Sequence, residues 1–200
     1  MTETTFEEFV ERSRRGTFVP VCREIMADLL TPVSAFLKIA EHSDYAFLLE
    51  SVEGGEKWGR YSLLGSRPSL VFVARGDQCE IREGDTVTPG SRPPLEELAE
   101  LLRRHQAVAL PGLPRFCGGA VGYLSYDVAR WVERLPATTR DDLRLPGAGF
   151  VFGDGVSVFD HLTHTLEVVT PARGGRDPHA AHHAAPERIL TPRFLAMLDS

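Results

Sequence analysis

The strongest constraint on fold lies between Tyr45 and Val87, where short apolar runs alternate with turn signals. Ala46–Leu49, Ser62–Leu64, Leu70–Val73 and Cys79–Arg82 each read as a strand. Arg75-Gly76-Asp77 and Glu83-Gly84-Asp85 flank the last of them with tight turns. Parallel neighbours need a crossover of about a dozen residues or more, so tight turns point to an antiparallel meander. A second strand region follows: Gly149–Phe159 and Thr165–Val169 are strands joined by a hairpin through Asp160-His161-Leu162-Thr163-His164.

Helical signals surround these strands. Phe6, Phe9 and Val10 recur at helical spacing, and a brief extended piece, Phe18–Cys22, follows them. Thr31-Pro32 opens a second helix, with Thr31 as cap and Pro32 at the first helical position, where its missing N–H costs nothing. Val33, Phe36, Leu37 and Ala40 are its expected buried stripe. Pro93-Pro94 precedes a third helix marked by Leu95, Leu98, Leu101 and Leu102, and Val128–Val132 reads as a short fourth. The class is therefore α+β, an antiparallel β-sheet with packed helices.

Residues 1–170 are expected to form one domain. Residues 171–186 read as a low-complexity linker of Gly, Ala, His and Arg, and residues 187–200 as the start of a helix split at Pro192. That ending suggests that more protein follows Ser200.

Of the 200 residues, 42% are hydrophobic and 25% charged, enough for a core without disulfides or metal. The net charge of −6 shows no basic stripe, which argues against nucleic acid as a partner. Cys22, Cys79 and Cys117 form no paired spacing and read as reduced, buried thiols of a cytoplasmic protein. The charged N-terminus is not a signal peptide, and no apolar run approaches the ~20 residues that span a bilayer.

The stretch richest in binding chemistry runs from Ala46 to Gly65. An apolar strand ends on Glu50-Ser51, and a glycine-bearing loop then offers Lys57, Trp58, Gly59, Arg60 and Tyr61. Both charge signs and an aromatic contact fall within one hairpin, which suits a zwitterion such as a free amino acid. Glu50 would take the ammonium or orient the loop, Lys57 or Arg60 would face the carboxylate, and the glycines would let the backbone come close. The structural alternative is a cross-strand Glu50–Arg60 pair, worth about 0.2–1 kcal/mol.

Other constellations are weaker. Gly118-Gly119-Ala120-Val121-Gly122 lacks the Lys-Ser/Thr ending of a phosphate loop and favours a packing role. His161, His164, His179, His182 and His183 lack the spacing of a zinc site. Asp160-His161 suggests a catalytic pair, but no nucleophile accompanies it, and a turn Asp beside a half-buried His is favoured. No residue is assigned to catalysis or to a metal.

The order of these features resembles the N-terminal region of anthranilate synthase component I. Phe47-Leu48-Leu49-Glu50-Ser51 is followed by Gly-Gly-Glu-Lys-Trp-Gly-Arg-Tyr-Ser and Leu64-Gly65. Thr31–Leu37 stands before it, and Gly118-Gly119-x-Val121-Gly122-Tyr123-x-x-Tyr126-Asp127 and Val158-Phe159-Asp160-His161 stand after it. The resemblance covers residues 18–169. It implies one half of an αββα layered fold and an enzyme that makes anthranilate and pyruvate from chorismate and ammonia in tryptophan biosynthesis. It also implies Mg2+ in the full-length enzyme and a glutamine amidotransferase partner, component II. L-Tryptophan would bind here as feedback inhibitor, at Ser51 first, then Glu50, Lys57, Trp58, Gly59 and Arg60, with Tyr61 less central. The family's chorismate and Mg2+ residues belong to a C-terminal chorismate-binding domain absent from this chain, which alone is expected to be inactive. The alternatives are aminodeoxychorismate synthase component I of the para-aminobenzoate pathway, a stand-alone amino-acid sensor, or a degenerate structural subunit.

Overall fold

The computed structural model describes residues 6–172 except 29, 51–58, 112, 114, 115, 137, 139 and 154. Among the described residues three helices, α1 (Phe6–Arg12), α2 (Pro32–Ala40) and α3 (Pro94–Arg104), accompany ten strands. The strands are β1 (Val19–Met26), β2 (Ala46–Leu49), β3 (Tyr61–Ser66), β4 (Leu70–Arg75), β5 (Gln78–Glu83), β6 (Thr86–Pro89), β7 (Ala120–Leu124), β8 (Ala148–Phe152), β9 (Val156–Asp160) and β10 (Thr165–Ala172). A 3-10 helix at Tyr126–Trp131 stands where a short helix was expected. The α+β class is borne out, as two antiparallel five-stranded sheets, ordered β1-β10-β9-β3-β2 and β6-β5-β4-β8-β7.

The chain divides into two compact units. One takes the residues up to Pro68, His105–Gly119 and those from Gly153 onward; the other takes Ser69–Arg104 and Ala120–Phe152. The expected meander is therefore interrupted. β2 and β3 pair in the first sheet, while β4, β5 and β6 form a meander in the second. The break falls at Arg67, which adopts a left-handed φ of 51°, and at Pro68, which has no N–H to continue a ladder. The expected strand Gly149–Phe159 likewise divides into β8 and β9, in different sheets, at Gly153 and Gly155. A Cβ on Gly155 would stand 3.1 Å from the Val169 carbonyl oxygen, so glycine suits the close approach there. The β9–β10 hairpin forms as expected, with Asp160 opposite Thr165.

In the first unit, α2 is capped as its sequence indicates: Ser34 N–H donates to Thr31 Oγ1 at 3.1 Å and Thr31 N–H to Ser34 Oγ at 3.0 Å. Its buried face differs from expectation. Ala35, Phe36 and Ile39 pack with Leu64, Phe159 and Leu166, whereas Val33 and Leu37 are 49% and 64% exposed. The small Ala35 side chain lets the helix approach the sheet on that side, and Leu30 and Leu48 complete the layer. Cys117, Phe116 and Leu113 pack with Val156, Val158 and Val169, and Phe9 lies buried with Val19 and Val108. Phe18 rests where a Cβ on Gly118 (φ 159°) would come within 2.5 Å of its ring. β1 also runs on to Met26, beyond the brief piece expected, because β10 pairs with all of it.

The second unit packs α3 through Leu98 and Leu101 with Leu70, Phe72, Ala74 and Phe152 of its sheet. Leu102, expected in that stripe, is 41% exposed. Buried Glu97 accepts the Ser91 and Arg92 backbone N–H groups at 2.9 and 3.1 Å, satisfying the turn that leads into α3. Pro171 and Ala172 of the expected linker belong to β10. The rest of that segment, 173–186, and the helix expected over 187–200 lie outside the described residues.

Candidate functional site

The hairpin of β2 and β3 places Glu50 and Arg60 at one end of the first sheet, where β2 stops and β3 and the β9–β10 turn meet. The β3–β9 ladder sets Tyr61 opposite Asp160 and Ser62 opposite Phe159. His161 N–H donates to the Arg60 carbonyl at 2.9 Å and extends the ladder by one rung. Since Leu49 faces Leu63, the residue that follows β2, Glu50, falls beside Ser62. The Ser62 hydroxyl lies 3.3 Å from Glu50 Oε1 and 2.7 Å from His161 Nε2.

Arg60 does not pair with Glu50. Its Nε lies 2.9 and 3.0 Å from the Asp160 oxygens, and its Nη2 lies 2.5 Å from Oδ2. Asp160 also accepts the Leu162 backbone N–H at 3.0 Å, so it is a turn carboxylate as well as an ion-pair partner. The guanidinium sits 4.9 Å from the Tyr61 ring centre, a cation–π distance. The Asp160 carboxylate is 7% exposed and the Arg60 side chain 36%. The Arg60 hydrogen bonds hold the Asp160 carboxyl below its usual range, and the same contact raises the guanidinium further. Burial pushes the Tyr61 phenol up.

Glu167 on β10 shares the Asp160 face, because alternate strand residues point the same way and Thr165 pairs with Asp160. Its strand partner is Glu24. Among the described residues its Oε2 is a buried oxygen without a hydrogen-bond partner. Burial, then Glu24 and Asp160, push its carboxyl up, while Arg60 opposes them.

This end of the sheet therefore brings together Glu50, Arg60 and Tyr61 of the expected binding residues, with Gly59 beside them in the chain. Ser51, Lys57 and Trp58 lie outside the described residues. Asp160, Ser62 and His161 were not singled out as partners of this hairpin. Asp160 and Arg60 are 100 positions apart in the chain, and no local pattern relates them. His161 is exposed rather than half-buried. A hydrolytic reading of Ser62–His161 is not supported: Ser62 is 1% exposed, and no carboxylate among the described residues bonds the imidazole. The Gly-rich segment is packing, as expected. A Cβ on Gly122 would lie 2.0 Å from the Gly149 carbonyl oxygen.

Burial pushes the Cys22 thiol up to about 11, and Cys79 and Cys117 are also raised by burial, consistent with inert thiols. Among the described residues no three His, Cys, Asp or Glu side chains gather as a metal site requires. No helix among them is long and apolar enough to cross a membrane.

No protein-family model matches the chain. It is 38% identical over 192 residues to anthranilate synthase component 1 of Acetivibrio thermocellus, a match covering 94% of this chain and 38% of that protein. It is 42% identical over 173 residues to anthranilate synthase component 1 of Thermus thermophilus, covering 81% of this chain and 33% of that protein. Among solved structures, anthranilate synthase component I from Streptococcus pneumoniae TIGR4 aligns with a TM-score of 0.56 at 23% identity, over 88% of this chain and 36% of that one. That likeness concerns the fold. The chain thus spans under two fifths of the length of these relatives.

Proposed function

We propose that this chain, which belongs to the anthranilate synthase component I family, is the portion that binds L-tryptophan as a feedback inhibitor. The observation that carries the reading is that an exposed carboxylate, Glu50, and a guanidinium, Arg60, stand at one sheet end without bonding each other, Glu50 held by Ser62 and Arg60 by Asp160. Glu50 takes the ligand ammonium. Arg60, anchored through Nε and Nη2 on Asp160, presents its remaining edge toward a carboxylate. Ser51 and Lys57, adjoining in the chain, complete the polar contacts, and Trp58 and Tyr61 supply aromatic surface.

The catalytic reaction, chorismate and ammonia to anthranilate and pyruvate, belongs to the longer polypeptide that the relatives carry, with component II supplying the ammonia. Tryptophan inhibits only by binding the inactive arrangement of that enzyme more tightly than the active one. Calorimetric titration of tryptophan into the complete enzyme tests the reading. Ser51→Ala and Glu50→Gln are each expected to weaken binding about tenfold, the loss of one hydrogen bond to a charged group. Wild-type affinity in both variants overturns it. The 200-residue chain alone, given chorismate, Mg2+ and ammonia, should show no anthranilate fluorescence.

A further inference from the structure

We propose that Ser62 and His161 are positioning residues for Glu50. A proton on His161 Nε2 sets the direction of the Ser62 hydroxyl, and that direction holds Glu50 in place for a ligand ammonium. This deepens the amino-acid reading above and rests on it.

A serine hydroxyl has one proton and two lone pairs. Ser62 has two side-chain neighbours on opposite sides of this choice, His161 Nε2 at 2.7 Å and Glu50 Oε1 at 3.3 Å. At 1% exposure the hydroxyl is shut off from bulk solvent, so its proton goes to one neighbour or the other. Glu50 is a carboxylate and only accepts. If Nε2 is bare, the shorter contact takes the serine proton, and Glu50 loses the one side-chain donor it has among the described residues. If Nε2 carries a proton, it donates to Ser62 Oγ and the serine proton turns to Glu50. The chain Nε2–H to Oγ–H to Oε1 then runs in one direction, and each bond polarises the next.

The three residues come from just past β2, from β3 and from the β9–β10 turn, so the relay also ties the exposed end of β2 to the sheet. Asp160, the imidazole's neighbour in the chain, is already engaged by Arg60 and the Leu162 N–H. Glu50 is exposed and has a long side chain. Fixing it before the ligand arrives removes an ordering cost from binding.

The test titrates tryptophan into the complete enzyme by calorimetry, with melting temperature recorded for each variant. Ser62→Ala and His161→Phe are expected to weaken binding about tenfold. His161→Gln keeps an amide N–H that reaches Ser62, and Ser62→Thr keeps the hydroxyl; both are expected to bind within about threefold of wild type. Unchanged affinity in Ser62→Ala overturns the proposal, as does His161→Gln binding no better than His161→Phe at equal melting temperature. Loss of affinity in Glu50→Gln with none in Ser62→Ala overturns the relay but leaves the amino-acid site standing. A second readout needs no ligand: long-range 15N–1H NMR of the His161 ring. The Nε2–H form is expected to predominate in the wild-type protein and to decline in Glu50→Ala, which removes the acceptor at the end of the relay. A tautomer indifferent to Glu50→Ala rejects the relay even if tryptophan binds nowhere.

Discussion

At the residue scale, two carboxylates on one sheet face titrate in opposite directions for identifiable reasons. Asp160 is held below its ordinary value of 3.8 by Arg60. Its stabilising contribution is present above that value and is lost as pH falls through its lower folded value. Acid unfolding followed by circular dichroism should show a slope in that window that Asp160→Asn reduces, together with a lower melting temperature at pH 7. Glu167 is raised above 4.5, chiefly by burial. Between 4.5 and its folded value the folded state binds more protons than the unfolded, so stability falls as pH rises there. Glu167→Gln is expected to gain about 1 kcal/mol at pH 7.5, the low end for an unsatisfied polar group because the residue is partly screened. Urea unfolding at pH 7.5 and again near pH 4 should show that gain shrinking at the lower pH. Little of this was legible in the chain. Glu50, Ser51, Lys57 and Arg60 stand close enough in sequence to suggest a site, but Arg60's partner lies a hundred residues away, and only the folded register brings it there. The cross-strand Glu50–Arg60 pair was a fair inference from local charge; the strand that intervenes on the other side of β3 provides a better acceptor.

At the element scale, local chemistry was legible and tertiary contacts were not. The Thr31 cap and Pro32 start of α2 are properties of four neighbouring residues, and they appear as read. The buried face depends on where the sheet lies, and it falls on Ala35, Phe36 and Ile39 rather than on Val33 and Leu37. β6 escaped notice because all four of its residues are exposed and carry no apolar alternation. β8 and β9 read as one strand because apolar periodicity does not record which sheet each half joins. Two substitutions check the element-level account by denaturant unfolding. Thr31→Ala should cost about 1 kcal/mol through loss of the cap. Gly122→Ala should cost about 1–3 kcal/mol or more, since its Cβ would meet the Gly149 carbonyl oxygen and the Phe150 backbone, neither of which can give way cheaply.

At the scale of the whole molecule, each unit has a core of its own. Phe72 and Phe152 centre one; Leu64, Leu166, Val158 and Val169 centre the packing of the other. The α+β class and the family followed from sequence because motif order survives over most of the chain, and relatives at 38–42% identity carry the same name. The division into two sheets did not, since it depends on the breaks at Arg67-Pro68 and at Gly153 and Gly155. Glu50 and its neighbours at the first sheet's end are proposed to hold tryptophan as a regulator of a longer enzyme. The most direct measurement follows tryptophan binding and anthranilate formation together in that enzyme, wild type against Ser51→Ala. Affinity and inhibition are expected to weaken by the same factor while uninhibited turnover is kept. Inhibition retained at wild-type tryptophan concentrations in Ser51→Ala would contradict it.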